Sequence, residues 1–295
     1  MKSNKKKWIG YTLYGILLTF GLLYYRFPAD AFKEYLQTTI HRIDPRLSLS
    51  IKRLSLSLPP GLKLTDAELS YEESPGKVFL KTEILSFGPK IRSYFKKDLE
   101  YCFESIAYDG NLTGCINFTK KDFGGPFSAS IVLKDIGIDD NSPLPVIIGD
   151  SLEGLLSGTI TYSGEGKSLT DGTGDAVLTL SEGLIKLSRP FLGLKAIDFK
   201  EVLLKMALNK KRLNLSHGEL KGKDMLVTAS GTIYINKEFL KSRLNLKGTI
   251  QPFADLFKNV PNASDTIKFF KQRIKSGKIS FNIQGTIKDP RFKII

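Results

Sequence analysis

Hydrophobic and polar residues change rhythm twice along this chain. From Trp8 to Tyr25 there are 18 residues without a charge, WIGYTLYGILLTFGLLYY. As a helix rising about 1.5 Å per residue they would cover roughly 27 Å, close to the hydrocarbon thickness of a bilayer. Trp8 stands at one end and Tyr24 and Tyr25 at the other, the positions that amphipathic rings prefer in a membrane. Lys5, Lys6 and Lys7 precede the segment and only Arg26 follows it closely, a bias that keeps the N-terminus cytoplasmic. A cleaved signal peptide would need a small-x-small site, and Tyr24-Tyr25-Arg26-Phe27-Pro28 offers none. A buried core helix would carry a polar face. The pattern predicts one uncleaved transmembrane helix, with residues 1–26 as tail and anchor and nearly everything after residue 26 on the other side.

After Pro28, Phe32, Leu36, Ile40 and Ile43 recur at three- or four-residue spacing, which predicts an amphipathic helix over 29–43 that ends before Pro45. It would rest on the headgroups or, the more frequent role, cap the end of a sheet. From Leu47 the period falls to two. Leu47, Leu49 and Ile51, then Leu54, Leu56 and Leu58, alternate with polar residues, and the change of parity near Lys52-Arg53 suggests a bulge. Strands are further predicted over 62–71, 77–87, 99–108, 112–119, 127–136, 154–163, 174–181, 184–189, 196–207, 211–217, 225–235, 241–250, 277–288 and 292–295, joined by short Gly-, Asn-, Asp- or Lys-containing turns. Two helices are predicted late, over 252–259 and 264–275. The stretch 139–145 is the best candidate boundary, or a joint within one sheet. The expected fold is mainly β: one N-terminal transmembrane helix, then a long, strongly curved antiparallel sheet, groove-like or a sandwich, with a few short helices. Too few helices are predicted to cover some 14 strands, so the apolar face must close, sandwich or leave a groove.

One small unit recurs: Gly158-Thr159-Ile160, Gly231-Thr232-Ile233, Gly248-Thr249-Ile250 and Gly285-Thr286-Ile287. Its spacing is irregular, which excludes a fixed-period solenoid. It reads as a strand with a glycine at a bend and a β-branched pair that favours the pleat.

The net charge is +14, of which Lys2, Lys5, Lys6 and Lys7 contribute four. Such an excess fits ordinary solubility or an anionic partner. Nucleic acid is disfavoured, because no basic run with interleaved aromatics follows the tail. Cys102 and Cys115 flank a predicted hairpin turn at Asp109-Gly110-Asn111. Centred on Gly110-Asn111, that turn sets Cys115 opposite Ile106 and Cys102 opposite Thr119, too far for a disulfide. A longer loop would bring the two into register.

Little in the chain suggests chemistry. His41 and His217 are far apart, no zinc spacing exists, and each reads as a surface residue. Gly164-Glu165-Gly166-Lys167-Ser168 resembles the end of a phosphate-binding loop, but Thr161 occupies the position of the required first glycine. Gly172-Thr173-Gly174 lacks the third glycine of a dinucleotide fingerprint. No Gly-x-Ser-x-Gly elbow is present, and the pairs Glu72-Glu73 and Asp139-Asp140 read as solvated turn charges. Asn111-Leu112-Thr113 fits a glycosylation sequon with nothing else to support it. No catalytic, cofactor-binding or metal-binding residue is assigned, no cofactor is expected, and the chain is not read as an enzyme.

Phe27-Pro28-Ala29 after the apolar segment, the amphipathic stretch, and Pro59-Pro60-Gly61-Leu62-Lys63-Leu64 leading into a strand resemble the start of the type II secretion system protein N (GspN) family. Gly154-Leu155-Leu156-Ser157-Gly158-Thr159, the turn at Gly172–Gly174 and the closing Gly285-Thr286-Ile287-Lys288-Asp289-Pro290 are similar to the same family. The closing motif also resembles the ends of AsmA-like periplasmic proteins. The resemblance implies a single-pass protein of the bacterial inner membrane, with a periplasmic β-rich domain over 27–295. It would be an accessory component of a type II secretion system, with membrane lipids and proteins of that machine as partners. The AsmA-like side implies the alternative, a lipid-binding or lipid-transfer protein that shields lipid tails in an apolar β groove.

Overall fold

The alternation that starts at Leu47 is realised as fourteen antiparallel strands, hydrogen-bonded in chain order in a single open sheet. The computed structural model of the chain describes residues 3–43, 45, 47–57, 61–71, 78–95, 98–119, 125–139, 151–165, 169–191, 194–236, 238–253 and 277–295. The strands are β1 (Leu47–Ser57), β2 (Gly61–Tyr71), β3 (Val78–Pro89), β4 (Leu99–Ala107), β5 (Gly110–Phe118), β6 (Pro126–Ile138) and β7 (Ser151–Glu165). They continue as β8 (Thr173–Phe191), β9 (Leu194–Asn209), β10 (Arg212–Gly222), β11 (Met225–Tyr234), β12 (Arg243–Pro252), β13 (Ile279–Thr286) and β14 (Pro290–Ile294). Each strand pairs with its chain neighbours, leaving β1 and β14 as edges. One sheet, not a sandwich, results.

Two helices precede the sheet, α1 (Ser3–Tyr25) and α2 (Ala29–Ile43). Asp30 in the first turn of α2 and His41 and Arg42 in its last turn complement the helix dipole. Leu36 of α2, with Phe27 and Ala29 before it, packs on Ile51, Leu54, Leu64 and Ala67. The amphipathic helix therefore caps the β1–β2 end of the sheet. α1 coincides with the expected anchor, and Trp8, Leu17, Leu22 and Tyr25 along it are more than half exposed. The expectation of a transmembrane anchor is not supported: among the described residues no helix is long and apolar enough to cross a membrane. Three glycines, two threonines and four tyrosines among its 18 uncharged residues dilute the apolar character.

The predicted parity change at Lys52-Arg53 is present, but it is not a bulge. Ile51 and Leu54, three residues apart, are both buried, while Lys52 and Asp66 leave the ladder together and form an ion pair at 2.9 Å. Asp66 takes a left-handed φ of 50° there, a conformation that aspartate tolerates better than most residues. True register shifts fall elsewhere. Asp135 (φ 53°) sits at the shift between β6 and β7, pinned by Ser157, whose hydroxyl accepts the Asp135 N–H at 2.9 Å and donates to its carboxylate at 3.1 Å. Such irregularities bend strands and sharpen their twist.

The stretches predicted as strands 174–181 and 184–189 form one strand, β8, with Glu182 in the left-handed region between them (φ 49°). β6 and β7 pair from Pro126↔Glu165 to Ile138↔Gly154, so the sheet runs on across the expected boundary. Residues 140–145 of that boundary, and the two helices predicted over 252–259 and 264–275 apart from Pro252 and Phe253, lie outside the described residues.

Candidate functional site

Antiparallel partners that face each other across a ladder project to the same side of the sheet, so registers can be chained from strand to strand. One such chain starts with Leu56, Leu62, Phe87, Phe103, Gly114 and Ile131 on β1–β6. It continues with Ile160, Ala176, Met206, Leu215, Gly231, Leu246, Ile283 and Phe292 on β7–β14. All fourteen positions are apolar or glycine. At about 4.8 Å between strands, this row is roughly 60 Å long.

A parallel row two residues along joins Leu54, Leu64, Leu85, Ser105, Leu112 and Leu133 to Gly158, Leu178 and Leu204, and ends at Phe281 and Ile294. Ser105 is its one polar member. Its hydroxyl is buried and lies 2.7 Å from the hydroxyl of Thr82, which also lies within hydrogen-bond distance of the Ile84 and Ile106 carbonyls. The polar group is therefore satisfied inside the apolar layer. A third row, Ile136, Leu156, Leu180, Val202, Leu220, Val227, Ile250 and Ile279, crosses β6–β13. The buried clusters of the sheet fall on this face, around Ile51 and Leu54, around Leu180 and Phe199, and around Met225 and Phe281.

The opposite face is mainly polar, with Val132, Leu155 and Val177 as exposed apolar exceptions. Its corresponding row runs Cys102, Cys115, Ser130, Thr161 and Asp175, and later includes Asn214, Thr232, Asn245, Gln284 and Arg291. One side of fourteen strands is thus apolar and the other is wet.

Glycines shape the apolar side. Phe103 lies over its partner Gly114 and Phe281 over its partner Gly248; a Cβ would stand 2.7 Å and 2.5 Å from the respective rings. Ring-over-glycine pairs of this kind fill the space left by the missing side chain and pin register. Gly231 also needs its backbone freedom, at φ 144°. In its first three copies the recurring Gly-Thr-Ile unit therefore places glycine on the apolar face, threonine on the polar face and isoleucine back on the apolar one.

The glycines that resembled nucleotide-binding fragments have the same use. Gly164 and Gly172 leave room for the hydroxyl end of Tyr162, whose ladder partner is Gly174. Tyr162 ends a run of rings, Phe87, Tyr101, Phe118, Phe127 and Tyr162, with successive centroids 5.3, 6.4, 6.0 and 5.5 Å apart. This aromatic run borders the apolar rows at one end of β3–β7.

The cysteines form a disulfide, contrary to the register that a Gly110-Asn111 turn would impose. The turn lies two residues earlier, at Tyr108-Asp109, both left-handed (φ 51° and 60°). Cys102 and Cys115 become direct partners with Cα atoms 4.0 Å apart. A tyrosine at a φ > 0 turn position carries no sequence signal, whereas Asp-Gly and Gly-Asn do. Glu100 approaches Cys102 Sγ at 3.9 Å, but both sulfurs are committed to the disulfide, which removes this trio as a metal-ligand set. His217 is half-buried with Nε2 3.7 Å from Glu219, and His41 is exposed on α2. Tyr108 accepts a hydrogen bond from the Lys81 N–H at 3.1 Å, and burial pushes its phenol above the ordinary value.

No family model matches the chain, and no curated protein or solved structure is significantly similar to it.

Proposed function

We propose that this protein is a non-catalytic lipid-binding protein whose apolar sheet face forms a groove that shields acyl chains. The observation that carries the reading is the row from Leu56 to Phe292, apolar or glycine on every strand. A sheet face of this length needs an apolar cover, and among the described residues the single sheet has no second layer of strands. Acyl chains offer that cover without asking for any hydrogen-bond partner, and the three rows present almost none.

The protein works at the bacterial inner membrane, with its β domain on the periplasmic side and α1 as the part that meets the bilayer. This part of the reading is supported by the exposed Trp8, Leu17, Leu22 and Tyr25 and by the lysines before them. Recovery of the full chain with inner membranes, together with protease accessibility of the β domain from the periplasmic side only, is the expected behaviour. The reading as an accessory of type II secretion rests on the sequence resemblance, and among the described residues no side-chain arrangement favours it over lipid binding.

The test is photo-crosslinking from the two faces of one strand. A benzophenone side chain at Met206, on the apolar row, is expected to form a phospholipid adduct; the same probe at Lys205, on the opposite face, is not. Equal labelling from both positions, or none from Met206, would remove the groove.

A further inference from the structure

The described residues of four turns at one end of β7–β14 gather cations and apolar side chains. Lys210, Lys211 and Arg212 join β9 to β10, Lys241 and Arg243 lie between β11 and β12, and Lys288 and Arg291 lie at the β13–β14 turn. Against these seven cations the same turns set four carboxylates, Glu165 at the end of β7 and three that pair as Lys211–Asp171 at 3.4 Å, Lys241–Glu238 at 2.8 Å and Arg291–Asp289 at 3.9 Å. Among the described residues, Lys210, Arg212, Arg243 and Lys288 have no carboxylate partner. Arg212 instead lies 5.8 Å over the Tyr234 ring. Between the cations stand Tyr234, Phe239 and Leu240, each between 44% and 49% exposed.

These turns are tied into one platform. The N–H of Lys211 donates to the Thr170 carbonyl, that of Ile235 to Lys211, that of Ile287 to Ser242 and that of Lys288 to Leu240, at 2.7 to 3.0 Å. Ser242 is fully buried, and its hydroxyl accepts the Asn236 N–H at 3.0 Å. The platform also holds strain. Lys210 and Lys211 both take left-handed φ values, 44° and 66°, at turn positions where asparagine and glycine are the favoured residues. Stability alone would not select two lysines there, whereas a surface that needs cations at its outermost point would.

We infer that this rim docks onto an anionic lipid bilayer, its cations meeting headgroup phosphates and Phe239 and Leu240 entering the interface. Exposed aromatic and aliphatic side chains flanked by lysine and arginine are what an anionic membrane surface recognises. An acidic protein would not call for the paired apolar tip, and nucleic acid would need rings placed for stacking rather than Arg212 lying across one of them. The inference does not require the groove to hold lipid.

The experiment uses the full chain in nanodiscs of phosphatidylcholine, floated with vesicles of phosphatidylcholine alone or with about 30% phosphatidylglycerol. Salt-sensitive co-flotation with the anionic vesicles only is expected. Each cation near such a surface contributes about fivefold to partitioning, so the combined variant K210Q/R243Q/K288Q should lower it on the order of 100-fold. The combined variant K134Q/K205Q/K247Q, with the same charge change on the polar sheet face, should lower it by less than about threefold, because those positions lie away from the contact. F239S/L240S should remove the binding that survives in high salt. Equal flotation with neutral vesicles, or equal losses in both triple variants, would overturn the assignment. So would binding of duplex DNA that is as tight as vesicle binding and equally sensitive to the rim variant. Because the readout is vesicle capture, failure here leaves the crosslinking result at Met206 unaffected, and the reverse also holds.

Discussion

At Gly248 the missing side chain decides the packing. Its Cβ would meet the Phe281 ring and the Thr228 carbonyl, so Gly248→Ala forces atoms apart instead of filling a void. Overpacking of this kind costs about 1–3 kcal/mol, to be read from denaturant unfolding. The penalty should shrink in a Phe281→Ala background by at least about 0.5 kcal/mol, since the two positions share one volume. Lys210→Asn with Lys211→Gly should act oppositely, stabilising the fold by about 1–2 kcal/mol through release of left-handed strain while weakening capture of anionic vesicles. A third residue-level expectation concerns alkali. Burial raises the Tyr108 pKa, and the neighbouring carboxylates Glu68 and Glu201 raise those of Lys81 and Lys221. All three groups hold their protons more tightly in the folded state. Their contribution is therefore complete below the unfolded values near 10 and is lost as pH rises through the raised folded values. The unfolding midpoint should fall as pH rises past about 10, less steeply in Tyr108→Phe; a decline already complete by about pH 8 would contradict this.

Among the elements, α2 was legible to the residue, Ala29–Ile43, because 3.6-residue spacing, Pro28 before it and Pro45 after it all agree. Strand existence was equally legible from period-two alternation. Turn position was not. Tyr108-Asp109 and Lys210-Lys211 occupy φ > 0 turns without the usual residues, and Glu182 interrupts β8 without ending it. At the first of these, a turn displaced by two residues moves the partner of Cys102 by four, from Thr119 to Cys115, which was enough to hide the bridge. That bridge closes a short loop, with a sequence separation of 13, inside a hairpin already held by its ladder. Replacing both cysteines by alanine should therefore cost no more than about 3 kcal/mol. Hydrogen exchange should locate the loss in β4 and β5; a loss spread evenly over the sheet would show that the hairpin is not an independent unit.

The whole molecule adds a property that no strand has alone. Alternation predicts an apolar face for each strand but not that fourteen faces align, since that depends on every turn returning the chain with the right parity. The registers achieve this from Leu56 to Phe292, over roughly 60 Å, about four times the half-thickness of a bilayer's hydrocarbon core. A face so much longer than one acyl chain should hold more than one phospholipid, and native mass spectrometry of the full chain should find several masses of bound lipid. A carboxylate placed in the row would have to be desolvated under an acyl chain, at a cost of several kcal/mol. Leu246→Asp should therefore lower the lipid count, while Asn245→Asp, one residue away on the polar face, should leave it unchanged. The loss should be partial, because the row continues through Ile160 and Phe103 on strands that Leu246 does not touch. Adding Ile160→Asp, five strands away, should remove further lipid independently. A single lipid per chain, lost entirely to Leu246→Asp alone, would replace the extended face with one discrete pocket near β12.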